Sequence, residues 1–232
     1  MSAVVSPIRL RLPVRVLQDG EARLPGWVTD LPTFRRWARS DEFPESGHVS
    51  YLRGEIWMDL TMEQLFSHNQ VKGEYARSLG NLVREEDSGR FFVDGVLLSN
   101  AAADLSTIPD GVFATWETLR TERIRMVEGA KEGYVELEGS PDMTLEVVSA
   151  RLADKDTILL RDLYWKAGVR EYWLVDARGK TPMFDILKHG PRGFTAVRKR
   201  GGWLRSAVFG KEFRLVQTTD PLGHPQYTLE VR

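Results

Sequence analysis

The chain has 232 residues, 42% of them apolar, with Lys+Arg 32 against Asp+Glu 33 and a net charge of -1. That length and apolar share fit one large folded domain with extensions and exclude a disordered chain, while the charge balance excludes long-range steering of the whole molecule to DNA or an anionic membrane. The absence of cysteine excludes disulfide frameworks, zinc knuckles, cysteine nucleophiles and iron–sulfur ligation, and four scattered histidines argue against a zinc enzyme.

No apolar run reaches the roughly 18 residues that span a bilayer, and the opening MSAVVSPIRLRLPVRVLQDG has no signal-peptide core, so a cytoplasmic protein without membrane contact is expected. Charge is uneven along the chain. Residues 178–232 hold 11 basic and 4 acidic side chains. This basic quarter reads either as solvated hairpin faces or as a patch facing a polyanion.

Residues 1–29, broken by Pro7, Pro13 and Pro25, read as an extended arm outside the main domain. From Asp30 an acidic cap and an early proline introduce a short helix through FRRWARS. HVSYLRG and GEIWMDL then form a strand pair that turns at Arg53-Gly54. Between Met62 and about Glu86, Val71, Tyr75, Leu79 and Leu82 recur at helical spacing, and Gly89 is the expected stop.

FFVDGVLLS and IPDGVFA follow, then a charged excursion from about Glu117 to Glu132, then YVELEG and the apolar strand MTLEVVS. Asp154 is the expected cap of a helix that runs to Ala167 and ends at Gly168, before the strand REYWLVDA. Strand, helix and strand with short links imply a right-handed parallel crossover. MFDILKH, GFTAVRKR, GWLRSAVFG and EFRLV alternate apolar with polar residues as an antiparallel meander does. The expected architecture is a mixed α/β domain over 30–216, with 217–232 as a C-terminal tail.

Glu146 is a carboxylate inside an apolar strand, and an ionised group loses several kcal/mol of solvation there unless something compensates it. An arginine would suffice; a divalent cation would need a second acid nearby. Asp110, where Pro109 opens a strand, is the leading partner, although a Pro-Asp-Gly turn also explains it. Asp142 lies four residues before Glu146, about 13 Å away at strand rise, and reads as the start of its strand. His68 shares a helix face with Val71 and Tyr75, either as a hydrogen-bonded core histidine or as a donor or base lining a site. Glu55 and Glu74 are further acids that could add a ligand or support one. Trp173 reads as core.

IPDGVF, PDMTLEVVS, DLYWKAGV and REYWLVD, together with GEIWMDL and a histidine at the head of a helix, resemble the Uma-two family of restriction-endonuclease-like proteins in the PD-(D/E)XK nuclease superfamily. The resemblance covers about residues 30–216. It implies a four-stranded mixed core flanked by helices and a metal-dependent phosphodiesterase site, with Asp110 as the Pro-Asp aspartate and Glu146 as the (D/E)XK acid. Mg²⁺ or Mn²⁺ would be held by Asp110, Glu146 and the carbonyl of Val147.

The superfamily's lysine position is Val148 here, and the family's alternative on the following helix is Leu160. Two other cations lie close in sequence. Lys155 either substitutes by reaching Glu146 or is a surface residue between Asp154 and Asp156. Arg161, always protonated, is expected to pair with Glu146 or another acid. The implied activity is endonucleolytic, on nucleic acid and DNA first, with a homodimer as an allowed assembly. The alternative is a module of the same fold, without catalysis, that binds nucleic acid or a protein partner.

Overall fold

The computed structural model describes residues 8–11, 24–44, 48–59, 62–131, 133–149 and 153–232. Asp30 caps α1 (Leu31–Ala38): its carboxylate accepts the Thr33 N–H at 2.9 Å while the Thr33 hydroxyl accepts the Asp30 N–H. The expected arm 1–29 contributes β1 (Ile8–Arg11), which pairs antiparallel with β3 (Glu55–Asp59). β3 forms a hairpin with β2 (His48–Leu52). Its turn is Arg53-Gly54, with φ of 52° and 76°, the positive pair that a two-residue hairpin loop requires.

The helical stretch after Met62 has two parts, a π-helical turn over Leu65–Gln70 and α2 (Val71–Glu85). α2 closes at Glu86, so Gly89 is not its stop. Gly89 instead begins β4 (Gly89–Val93), where a Cβ would lie 2.1 Å from the Ala114 carbonyl oxygen; the glycine is needed for close strand approach. FFVDGVLLS does not stay in one sheet. The chain leaves β4 and crosses at Asp94-Gly95 into β5 (Leu97–Asn100) of a second sheet.

β6 (Leu105–Thr107) and β7 (Gly111–Thr115) follow. The charged excursion is structured, with α3 (Trp116–Arg120) capped by the Thr115 side chain and then β8 (Ile124–Glu128). β8 is an edge strand that buries little beyond Ile124, so it shows no apolar alternation. β9 (Tyr134–Gly139) and β10 (Met143–Val147) precede a second π-helical turn, Lys155–Leu160, which continues as α4 (Arg161–Lys166). Asp154 makes no side-chain capping bond.

β11 (Glu171–Asp176), β12 (Met183–Gly190), β13 (Gly193–Ala196), β14 (Leu204–Arg205), β15 (Glu212–Thr219) and β16 (Pro225–Val231) complete the described chain. The central sheet has the order β13-β12-β11-β10-β7-β4. β10 and β11 are parallel, as the crossover predicts, and their neighbours are antiparallel. β12-β11-β10-β7 is thus the expected mixed core, extended by one strand at each side.

A second sheet, β1-β3-β2-β6-β5-β9-β8, and a third, β14-β15-β16, pack around it. The C-terminal meander is antiparallel but divided between the central and third sheets. Position 216 falls inside β15, and the stretch expected as a tail forms β16, which pairs along β15.

Period-two alternation assigns the two faces of the central sheet. Met143, Leu145 and Val147 of β10 pack with Val71, Tyr75 and Leu79 of α2 and with Phe209 and Phe213. Trp173 is fully buried among them, as expected. Val112, Ala114, Tyr172 and Leu187 on the opposite face pack with Leu160, Leu163 and Tyr164 and with Leu98, Leu105 and Leu137 of the second sheet. The buried Glu171 carboxylate fastens the third sheet, accepting from the Trp173 indole, the Ser206 hydroxyl and the Ala207 and Val208 amides. No helix among the described residues is long and apolar enough to cross a membrane.

Candidate active site

The antiparallel run of β7 against β10 sets Asp110, just before β7, at the end of the sheet where β10 finishes. Asp110 is buried, and its Oδ2 accepts the Val147 N–H at 2.6 Å. Glu146, one residue earlier on β10, projects to the α4 face, where its Oε1 accepts the Tyr164 hydroxyl at 2.6 Å. The turn before α4 adds Lys155 and Asp156, both buried, with Lys155 Nζ 3.5 Å from Asp156 Oδ1. That oxygen is buried and accepts no hydrogen bond among the described residues.

From the other face, the start of α2 and the turn before it bring in His68 and Lys72. His68 Nε2 is 3.9 Å from Asp110 Oδ2, and its Nδ1 is 3.5 Å from Glu63 Oε2. Lys72 Nζ is 3.5 Å from Asp110 Oδ1, donates to Asp94 Oδ2 at 2.7 Å and pairs with Glu63. The cation of Lys72 thus links the interior acid to Asp94, which the crossing between sheets brings there.

Three carboxyl groups in one dry place perturb each other. Burial pushes Glu146 well above the usual carboxylate range; the charges of Asp110 and Asp156 add to this, and that of Lys155 opposes it. Burial also raises Asp110, against the pull of His68 and Lys72. Asp156 is pushed up to about 6 by burial and by Asp110, with Lys155 opposing. Burial alone would lower the Lys155 ammonium, but Asp156, Glu146 and Asp110 outweigh it and hold its pKa above the ordinary lysine value. The cluster therefore carries more acid than its cations match, a condition that a bound cation relieves.

The donor types suit a divalent ion, although among the described residues the carboxylate oxygens of Asp110, Glu146 and Asp156 do not all lie within 4.8 Å of one another. Carboxylate oxygens are the hard ligands that Mg²⁺ and Mn²⁺ prefer, and Asp156 Oδ1 is a buried acceptor that faces the Lys155 ammonium at 3.5 Å without a well-formed hydrogen bond. A second group, His48, Glu63 and Asp94, has ligand atoms within 4.8 Å of one another, but Glu63 and Asp94 already pair with Lys72.

Of the residues singled out in the sequence, Asp110, Glu146, Val147, Lys155 and His68 come together. Lys155 is buried toward the acids and is not a surface residue. Three others lie elsewhere. Arg161 donates to the Phe194 carbonyl at 3.0 Å, away from Glu146. Glu74 accepts the Leu229 N–H at 2.7 Å and ties α2 to β16. Glu55 sits at the β2–β3 turn in the second sheet. Asp142 immediately precedes β10 at its far end, where the Thr115 N–H and Arg170 satisfy it.

Val148 and Leu160, the two positions for the superfamily's lysine, are core residues. Lys72, Asp156 and Tyr164 were missed as site residues. Lys72 was accessible to a helical argument, because it lies four residues after His68 on the same face.

Residues 31–191 match the Uma2 family, described as "Putative restriction endonuclease". No curated protein matches the chain. Among solved structures, the chain is similar to one described as a putative nuclease belonging to DUF820 from Anabaena variabilis ATCC 29413, at 19% identity and a TM-score of 0.56, over 79% of this chain and 91% of that one. That likeness is one of fold. With most of the domain matched and the acids converging at one end of its mixed sheet, the chain belongs to the Uma2 family of restriction-endonuclease-like proteins.

Proposed function

We propose that the chain is a divalent-metal-dependent endonuclease that hydrolyses nucleic-acid phosphodiester bonds. The observation that carries this is the burial of three carboxyls, Asp110, Glu146 and Asp156, near enough for the charges of Asp110 and Asp156 to raise Glu146, beside one buried lysine at the end of β7 and β10. Asp110, Glu146 and the Val147 carbonyl would hold Mg²⁺ or Mn²⁺, with Asp156 as a further oxygen donor. Such an ion, when bound, supplies Lewis acidity at a phosphoryl oxygen and acidifies water.

The chain's own groups do the rest. The Tyr164 hydroxyl fixes the Glu146 carboxyl, and the Val147 amide fixes Asp110. Lys155 places a fixed positive charge where negative charge grows on the phosphoryl group. His68, beside Asp110, is positioned to carry a proton at the edge of the site.

A second reading has one observation in its favour. With Val148 and Leu160 in the core, neither usual lysine position is filled, as in a module that binds nucleic acid or a protein without cleaving. Plasmid nicking decides between the two. Wild type should nick in Mg²⁺ or Mn²⁺ and stop with EDTA, and Glu146→Gln should be inactive. A wild type that never nicks, with either metal, supports the binding module.

A further inference from the structure

The basic C-terminal quarter is not used by the cluster of acids, yet the fold brings part of it to the same end of the sheet. β13 runs antiparallel to β12 with Ala196 opposite Leu187, and the Val197 N–H continues the ladder to the Ile186 carbonyl at 2.8 Å. The next residue, Arg198, therefore falls level with Asp185, which Lys199 Nζ meets at 3.1 Å. Asp185 is opposite Leu174, and Leu174 is opposite Glu146. Arg198 thus stands at the level of Glu146, three strands across, or about 14 Å at ordinary strand spacing.

Beyond it the chain turns back through Gly201 and Gly202, with φ of 58° and 85°, and Arg200 bridges antiparallel to Trp203. The result is a two-walled groove of about 540 Å³ lined by Arg198, Arg200, Trp203, Arg205 and Glu212. Arg198, Arg200 and Arg205 are exposed, and among the described residues no carboxylate lies within ion-pair distance of any of them. Glu212 is already paired with Arg232 at 3.0 Å. One wall is pinned, because the Arg214 and Arg232 guanidiniums lie 4.7 and 4.2 Å from the Trp203 ring. Unpaired cations along a concave strip suit a string of phosphates better than a flat lipid surface.

We infer that the Arg198–Arg205 groove is a docking track for the phosphate backbone of a nucleic acid whose neighbouring segment lies at Asp110 and Glu146. The inference rests on the nuclease reading for the second half of that statement, and the first half is testable alone. About 14 Å spans roughly four nucleotides along one strand of a duplex. The Arg198 end of the track therefore holds the substrate about four nucleotides from Glu146, the rest of the track continuing along the third sheet on the α2 side, and binding through it depends steeply on salt.

The test measures fluorescence anisotropy of a labelled 20-base-pair duplex in EDTA, where cleavage is off, across a salt series. R198A/R200A/R205A should bind at least about tenfold more weakly at low salt and lose about three from the log–log salt slope, one per phosphate contact. A control triple variant of exposed basic residues elsewhere, R84A/R120A/R192A, should stay within about threefold of wild type. All three proteins should hydrolyse bis(p-nitrophenyl) phosphate equally, since that substrate is too small to reach the groove.

If the groove variant binds duplex like wild type, or loses no more than the control, the track is refuted. Equal capture of the wild type by anionic phospholipid vesicles would also refute it, because the groove would then read charge alone. Selective loss of duplex binding, with no hydrolysis by any of the proteins, would retain the track and remove the nuclease reading.

Discussion

Replacing Asp156 by asparagine should make the metal-free protein more stable, an uncommon result for a buried polar residue. Asp156 is nearly fully buried, its Oδ1 accepts no hydrogen bond, and its pKa is pushed from 3.8 to about 6. At 1.36 kcal/mol per unit, a shift of that size corresponds to about 3 kcal/mol of destabilisation by the ionised form. The sign follows from linkage. Below pH 3.8 the carboxyl is protonated in both folded and unfolded chains and costs nothing; between 3.8 and about 6 the unfolded chain ionises first, so stability falls as pH rises; above about 6 the cost is complete.

Asp156→Asn removes this cost, so its advantage over wild type should be near zero at pH 3.5 and reach about 3 kcal/mol at pH 7. In a chain of this size that is roughly 6–12 °C in Tm. Urea unfolding in EDTA at a series of pH values measures it. Saturating Mg²⁺ should narrow the gap, because an ion at 100 times its Kd stabilises wild type by about 2.7 kcal/mol. A variant less stable than wild type at pH 7, or a gap that does not change with pH, would refute the picture of mutually strained acids.

Lys155→Met keeps the stem but removes the charge that offsets Glu146 and Asp156. It should cost about 3 kcal/mol of stability at neutral pH by thermal unfolding and lower nicking by about 10² to 10³. Leu160→Lys, which would restore a lysine at the family's position, instead buries an ammonium among Leu163, Tyr164 and Val112. It should destabilise by several kcal/mol in urea and raise no activity. Tyr164→Phe deletes the hydroxyl on Glu146 Oε1 and should cost about 1–3 kcal/mol, read as a lower urea midpoint with an unchanged slope.

The parts of the fold that were legible were those whose local chemistry and tertiary role agree. Arg53-Gly54, the capped helix after Asp30 and the strand, helix and strand around Glu146 each carry their own turn, cap or apolar run. β8 and the division of FFVDGVLLS between two sheets were not legible. An edge strand needs no apolar alternation, and which sheet a strand joins is decided by residues far away in sequence.

In the site, Asp110 and Glu146 stood out because charge in an apolar strand demands compensation. Lys155 had two readings that only three-dimensional placement separates. The turn before α4 is π-helical, and its i→i+5 bonding shifts the phase that ordinary helical spacing assumes. That phase buries Lys155, Asp156 and Leu160 together. Arg161, Glu55 and Glu74 were plausible by charge alone, but each finds its place away from the cluster.

The most direct measurement of whether these acids form one metal centre is calorimetric titration of Mn²⁺ into the wild-type protein at pH 6, in two buffers of different ionisation enthalpy. The account predicts one ion bound per chain with release of protons, since acids held above their ordinary pKa must ionise to ligate, and loss of that binding in Glu146→Gln. Absence of saturable binding by wild type, or binding that Glu146→Gln leaves unchanged, would contradict it.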